Sequence, residues 1–455
     1  MSLANPKESK VYLPPPPAAP AASQKVAILA LIGVMILGAI LRWWWLSTVD
    51  TQPVTDFSWY FKRATEIASG LGYQVNGKQT AYWPVGYPAF LSLFFAIFGH
   101  DISVAKALNF LLTWLAIPLT FLVTQRLFRS YLTAVLAAFI IAIHPSLLAY
   151  SGILASDPLS SFLVLAGSLI LLYARNKKWP LITAGIIFGL AVLVRPQSLL
   201  VPFIVLAANW RFDDVKFNTF KPLRASAFVL GAMLVVLAPW LIRNVMVFHQ
   251  FVFVSTNGGD NLLIGHNKKA TGRYMNPDKC GLARPADMDE VARDKAASRA
   301  GMGFIKQHPG DSLRLVGPKL QAAFLTSTDA PYWAFQKNFD KETPPGIGED
   351  KPLYKGFKEY SASFQWLLLT LFGVGLVLTV VEGFTNKRRF PFPVTPLALI
   401  LYGGLIVAVF FGNPRFVFWL IPYMAMYAAH VPTCVLDRLA LLKPIEQEKQ
   451  ATSGS

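Results

Sequence analysis

The sequence predicts an all-α, polytopic integral membrane protein of about ten transmembrane helices, with interfacial helices in its first loop and a mainly helical extracytoplasmic loop domain. Three observations carry this. Of 455 residues, 54% are hydrophobic and only 15% charged, unlike the balance of soluble domains. Apolar runs near the roughly 20 residues needed to cross a hydrocarbon core of about 30 Å recur along the chain. Lys and Arg fall in short clusters between those runs. The net charge of +17 therefore reads as membrane orientation and lipid-headgroup contact, not as a nucleic-acid-binding face.

Residues 1–24, with "YLPPPPAAPAAS", read as a disordered cytoplasmic tail rather than a cleavable signal, because the apolar run that follows is too long for an h-region. The predicted spans are 26–48, 103–124, 132–152, 158–174, 180–194, 197–210, 225–242, 363–385, 394–411 and 416–435. Between them lie Arg126 and Arg129, "RNKK" at 175, "WRFDDVKFNTFKPLR" at 210, "NKRR" at 386, and Arg438 and Lys443. With both termini inside, all these clusters face the cytoplasm. The stretch 180–210 must then enter and return in two halves of about 15 residues, roughly 22 Å each. Its turn, "VRPQ", puts Arg195 near the outer interface inside the protein, with Pro196 ending the helix. An arginine there is a functional candidate or a snorkelling side chain in equal measure.

The expected organisation is an N-terminal membrane module over 25–242 with first loop 49–102, an extracytoplasmic domain over 243–362, C-terminal spans over 363–436, and a tail over 437–455. The last residues, "ATSGS", are native tail or cloning scar. Within 243–362, "PADMDEVARDKAASRAGMGFIKQH" predicts a helix stopped by Pro309, "SLRLVGPKLQAAFLTS" another, and "STNGGDNLLIGHN" a loop. Cys280 and Cys434 fall on opposite sides and are not expected to pair. No Cys or His lies in a metal-ligand spacing, so no metal ligands are assigned.

Candidate chemistry gathers at the outer face. In "VTDFSWYFKRATEIASG", residues 54–70, Phe57, Tyr60, Phe61, Ala64, Ile67 and Ala68 recur at helical spacing, with Lys62, Arg63 and Glu66 on the other side. This predicts an interfacial helix ended by Gly70, with Asp56 as N-cap. A second apolar helix of about 14 residues, too short to span, completes a platform beside Asp56. Asp157, followed by Pro158, likewise reads as the ordinary start of a helix. Each aspartate alone is more simply a cap than a catalyst. Together they share one face with Arg195, Arg243 and Arg415, a set suited to deprotonating a hydroxyl and steadying a phosphate leaving group.

The order of "DFSWY" (Asp56, Tyr60), "GLGY", "WPVGYPAFL", "SDP" at 156, "RPQSLL" at 195, "PWLIRN" at 239, "KQHP" at 306 and "NPRFVFWLIP" at 413 resembles the GT-C glycosyltransferases. The likeness is to the branch of protein O-mannosyltransferases and the aminoarabinose transferase of lipid A. It implies a GT-C-like fold and transfer, with inversion, of a sugar from a polyprenyl-phosphate (undecaprenyl-phosphate) donor to a lipid, glycan or protein hydroxyl at the extracytoplasmic face of a bacterial inner membrane. It further implies Asp56 and Asp157 as catalytic carboxylates, and Arg195, Arg243, Arg415 and Arg63 on the donor phosphate. Tyr60, Tyr82, Trp83, Tyr87, Asn244 and His266 become substrate-binding candidates. Tyr82 and Trp83 stand where the aminoarabinose branch has a Glu-Lys pair, so that pair's metal and phosphate contacts do not carry over. No cofactor is demanded, and a divalent cation is left open. The alternative is a lipid or solute transporter that breaks no bond, marked by ionisable residues near the bilayer midplane and by internal repeats; no repeat is visible. A non-catalytic scaffold would leave both aspartates as caps.

Overall fold

The structure, a computed structural model, describes residues 21–174, 177–210, 220–283, 285, 288–336, 351–385 and 393–452. Residues 1–20 of the expected tail, the core of the basic cluster after 210, the cluster at 386 and the last three residues lie outside them. Among the described residues, five helices are long and apolar enough to cross a membrane: Gln24–Thr48, Ile102–Phe128, Leu223–Phe248, Pro352–Gly383 and Pro414–Leu436. Shorter apolar helices fill the space between them.

In chain order the elements are α1 (Ala21–Thr48), α2 (Thr55–Ala68), the hairpin β1 (Gln74–Val75) and β2 (Lys78–Gln79), α3 (Gly86–Phe98), α4 (Ile102–Phe128), α5 (Tyr131–Ile143) and α6 (Pro145–Ala149). There follow α7 (Asp157–Tyr173), α8 (Lys178–Val194), a 3-10 turn (Pro196–Leu200), α9 (Val201–Trp210) and α10 (Phe220–Phe248). The expected loop domain, 243–362, gives α11 (Gly258–Gly265), α12 (Glu290–Gln307), α13 (Pro309–Arg314), α14 (Val316–Phe324) and α15 (Asp329–Ala334). The chain closes with α16 (Lys351–Thr385), α17 (Val394–Val409), α18 (Pro414–Val417) and α19 (Ile421–Thr452).

All ten expected spans are largely helical; two of their bounds and one expected loop are corrected. The run 132–152 stops at Ile143, because His144 takes extended backbone before Pro145 and caps the short α6. The helix expected from 363 begins at Lys351, since apolarity marks where a helix meets lipid, not where its hydrogen bonding starts. "STNGGDNLLIGHN", expected as loop, carries α11, whose Leu263 and Ile264 are buried and pack with Ala297 of α12. The helix expected before Pro309 forms as α12, with Asp289 accepting from Ala292 N at 2.8 Å as its cap.

Small residues bring the helices together, as expected where lipid gives no hydrophobic drive to association. A Cβ on Gly185 would meet Val229 O at 2.5 Å and one on Gly189 would meet Val236 Cβ at 2.8 Å, so this G-x-x-x-G pair sets how closely α8 and α10 cross. Arg42, inside α1, is fully buried. It donates to Thr113 Oγ1 at 3.1 Å and to Ala142 O at 3.1 Å, tying α1 to α4 and α5. In the first loop α2 and α3 pack through rings such as Phe61 and Phe95. Glu290 of α12 clasps that loop, accepting from Thr80 Oγ1 at 2.6 Å and from Ala81 N at 2.8 Å.

Candidate active site

The helix α2 begins at Thr55, with Val54 preceding it as N-cap. Thr55 sits at φ +50°, a left-handed value that a β-branched residue adopts only under strain of order 1–3 kcal/mol. Asp56 is thereby carried inside the first turn and makes no cap bond, contrary to the capping expectation. Its Oδ1 accepts from Thr55 Oγ1 at 3.0 Å, and its Oδ2 lies 2.6 Å from Arg415 Nη1. Asp157 repeats the pattern as first residue of α7, where Ser156 precedes it without a side-chain cap bond. Asp157 Oδ2 accepts from Arg415 Nε and Nη2 at 3.2 and 3.1 Å. Its Oδ1 lies 2.8 Å from Arg195 Nη2, an ion pair without hydrogen-bond alignment.

Both arginines are set by breaks in helices. Asn413 accepts from Arg415 N at 2.9 Å and starts α18, aiming the guanidinium over the Phe57 ring at 4.9 Å. Arg195 ends α8 in extended backbone before Pro196. It donates from Nε to Ser156 Oγ at 3.2 Å, and its Nη1 reaches Arg415 O at 3.4 Å. It therefore turns inward rather than snorkelling. The platform is anchored next to it: a Cβ on Gly86 would meet Val194 N at 2.5 Å, so "WPVGYPAFL" seats α3 against the backbone just before Arg195.

The result is two carboxylates and two guanidiniums from four distant segments, balanced in formal charge. The carboxylates differ in access. The Asp157 side chain is 0% exposed and that of Asp56 16%, with 13% for each arginine. Burying a charge without its partner is costly, so Asp157 serves as a fixed counter-ion. Asp56 is the carboxylate a ligand can reach.

Sequence reasoning missed the neighbours on the far side of Arg415. Tyr150 donates to Asp329 Oδ2 at 2.8 Å, Trp333 Nε1 to Asp329 Oδ1 at 3.1 Å, and the Trp333 ring meets Phe57 edge-on at 5.3 Å. Desolvation pushes the Asp329 carboxyl above its usual range. A narrow cleft of roughly 30 Å³ opens here, lined by Tyr150, Phe324, Asp329, Pro414, Val417 and Phe418 among others. The available signal was "TDAPYW" at 328–333, an aspartate before a proline and two aromatics.

The remaining candidates stand elsewhere. Arg243 reaches Thr80 O at 2.9 Å, Tyr73 O at 3.0 Å and Gln79 Oε1 at 2.6 Å, bracing the first loop against α10. Arg63, expected on the polar side of α2, is buried. It pairs with Glu66 at 2.8 Å and donates to Gln74 O. Tyr60 is buried in α2, and burial, with Asp56 next, raises its phenol. Trp83 packs edge-on against Trp59 and beside Tyr60. Tyr87 is fully buried and bonds Asn109 Oδ1 at 3.1 Å. Tyr82 donates to Asp260 Oδ2 at 3.1 Å, and Asn244 to Val252 O at 3.2 Å. His266 lies 2.9 Å from the buried Lys319 Nζ, and desolvation, then that cation, lowers its imidazole.

The point between Asp56 and Asp157 is filled by Arg415, so a cation bridging them would have to displace that guanidinium. Among the described residues one group does bring three candidate metal ligands together, Glu382, His430 and Cys434. The expectation that no Cys or His falls in a ligand spacing overlooked the four-residue step from His430 to Cys434 on α19.

Residues 83–242 match the family model described as dolichyl-phosphate-mannose-protein mannosyltransferase. No curated protein sequence matches the chain significantly. The oligosaccharyltransferase of Archaeoglobus fulgidus, in its apo form, superposes with a TM-score of 0.56 at 16% identity over 93% of this chain and 52% of that one. The same archaeal protein with an inhibitory peptide and a dolichol-phosphate gives 0.53 at 17% identity, with the same coverage. The chain thus shares the membrane fold of these structures and spans about half their length. ArnT from Cupriavidus metallidurans bound to undecaprenyl phosphate is similar at a TM-score of 0.42 and 12% identity, over 94% of this chain and 80% of that one.

Proposed function

We propose, from the premise of a GT-C membrane fold whose residues 83–242 match the dolichyl-phosphate-mannose-protein mannosyltransferase family, that this protein transfers a sugar from a polyprenyl-phosphate carrier to a hydroxyl acceptor. The reaction faces the extracytoplasmic side, in a bacterium the periplasmic side of the inner membrane. The observation that carries this reading is the single guanidinium of Arg415 shared between a reachable Asp56 and a sealed Asp157.

The donor phosphate competes with Asp56 for Arg415. As Arg415 Nη1 turns onto a phosphate oxygen, Asp56 loses its counter-ion and becomes a better base. Asp56 takes the proton of the acceptor hydroxyl, and that oxygen forms a bond to the anomeric carbon on the face opposite the phosphate. The bond from that carbon to the phosphate oxygen breaks, and polyprenyl phosphate leaves with the electron pair, steadied by Arg415 and Arg195. Attack from the opposite face inverts the anomeric centre. Asp157 holds both arginines in place throughout. The archaeal oligosaccharyltransferase was solved with dolichol-phosphate, a carrier of the class proposed here.

The test uses purified protein, a polyprenyl-phosphate sugar and native membrane lipid as acceptor source. Sugar transfer by the wild type, lost in Asp56→Asn at unchanged thermal stability, is expected. Lipid binding with no bond broken would instead fit a transporter.

A further inference from the structure

Further along the chain from Arg415, in the first half of α19, the side chains form a second polar cluster. The ligand atoms of Glu382, His430 and Cys434, one carboxylate oxygen, one ring nitrogen and one sulfur, all lie within 4.8 Å of one another. His430 and Cys434 are four residues apart and so share one helix face, while Glu382 comes across from α16. His430 and Cys434 are buried, and the Glu382 side chain is 21% exposed. His430 Nε2 stands 2.9 Å from Glu382 Oε2. Its other ring nitrogen faces Thr133 Oγ1 at 3.4 Å, which in turn meets Thr433 Oγ1 at 2.9 Å. A partner on the far nitrogen is what orients a metal-bound histidine. The nineteen positions from Arg415 to Cys434, almost all helical, rise about 28 Å, so this cluster is well separated from Asp56.

We infer that Glu382, His430 and Cys434 bind one divalent transition-metal ion, zinc or a metal of similar softness, that pins the end of α16 to α19. Mixed nitrogen, oxygen and sulfur donors favour such an ion over magnesium or calcium. Bond lengths near 2.0 Å to nitrogen and oxygen and 2.3 Å to sulfur put ligand atoms roughly 3.3–3.6 Å apart. Reaching that spacing from the present one opens the His430–Glu382 pair slightly from 2.9 Å and closes any distance that stands nearer the 4.8 Å limit. Binding takes the thiol proton of Cys434 into solution and leaves the thiolate on the ion. Three protein ligands leave the fourth tetrahedral position to water.

The experiment titrates the intact, detergent-solubilised protein with Co²⁺ and follows its absorption, with size exclusion confirming the fold of each variant. A saturable thiolate-to-cobalt charge-transfer band at one ion per chain is expected, displaced by Zn²⁺. Cys434→Ser should lose that band, Glu382→Gln and His430→Ala should weaken binding at least tenfold, and Asp56→Asn should keep the band unchanged. Should His430→Ala misfold, Glu382→Gln carries the same reading. Absence of the band in folded wild type, or its survival in Cys434→Ser, overturns the inference. Neither result bears on sugar transfer, which is read separately through Asp56.

Discussion

Arg415 holds Asp56 Oδ2 at 2.6 Å with one terminal nitrogen and Asp157 Oδ2 at 3.1 Å with the other, joining residues 359 and 258 positions away along the chain. One side chain thus gathers into a single cluster two carboxylates that local rules read as separate helix starts.

Because Asp56 is the reachable carboxylate and Asp157 the sealed one, their amides should behave differently. Asp56→Asn is expected to lower turnover by about 10²–10⁴-fold, the range of a lost general base, with thermal stability nearly unchanged. Asp157→Asn leaves Arg195 and half of Arg415 short of their buried partner, so stability should fall along with turnover. Paired measurements of transfer rate and Tm separate the two; equal effects on both would contradict this division.

Removing Arg415 strands two carboxylates together. Arg415→Ala should cost about 3–5 kcal/mol of stability, more than either amide substitution. Arg415→Lys restores a charge but not the fork that spans both carboxylates; recovery of stability without recovery of donor affinity is the expected split. Scanning fluorimetry and donor titration check it.

Thr55 at φ +50° supplies a test of strain at the site. Thr55→Gly relieves about 1–3 kcal/mol of backbone strain against an entropic cost of about 0.5–1 kcal/mol. Tm should hold or rise. Turnover should fall, since the hydroxyl that bonds Asp56 Oδ1 is gone. A parallel loss of both would mean that the strain is not stored there.

Lys319, fully buried, donates to Ala408 O at 3.0 Å, and burial holds its amine down to about 8 from the usual 10.5. Between those values the unfolded chain binds a proton that the folded chain has released, so stability rises with pH across that window. Below it the penalty is constant. Lys319→Met should flatten the rise in Tm from about pH 8 to about pH 10, and an unchanged slope would remove Lys319 as its source.

The helices were legible because each depends on its own residues: apolar runs long enough for lipid, prolines and glycines at breaks, and basic clusters between them. That information gave the bundle, the surface platform of α2 and α3, and α12 with its stop at Pro309. It also brought Asp56, Asp157, Arg195 and Arg415 forward as candidates through their positions at helix starts and breaks. Local rules then misread the aspartates, because a cap bond worth about 1 kcal/mol competes with a charge-assisted bond roughly twice as strong as a neutral one. No pattern near residue 56 or 157 announces an arginine at 415. The same holds for Arg243 and Arg63, alike in sequence to the site arginines yet spent on the first loop, for Asp329 behind Tyr150, and for Glu382 meeting α19. The sequence by itself determined a membrane-embedded helical protein with acidic and basic side chains at one face. Only the tertiary structure decided which of them share a counter-ion, because ion pairing acts over a few ångströms in space and is indifferent to separation along the chain.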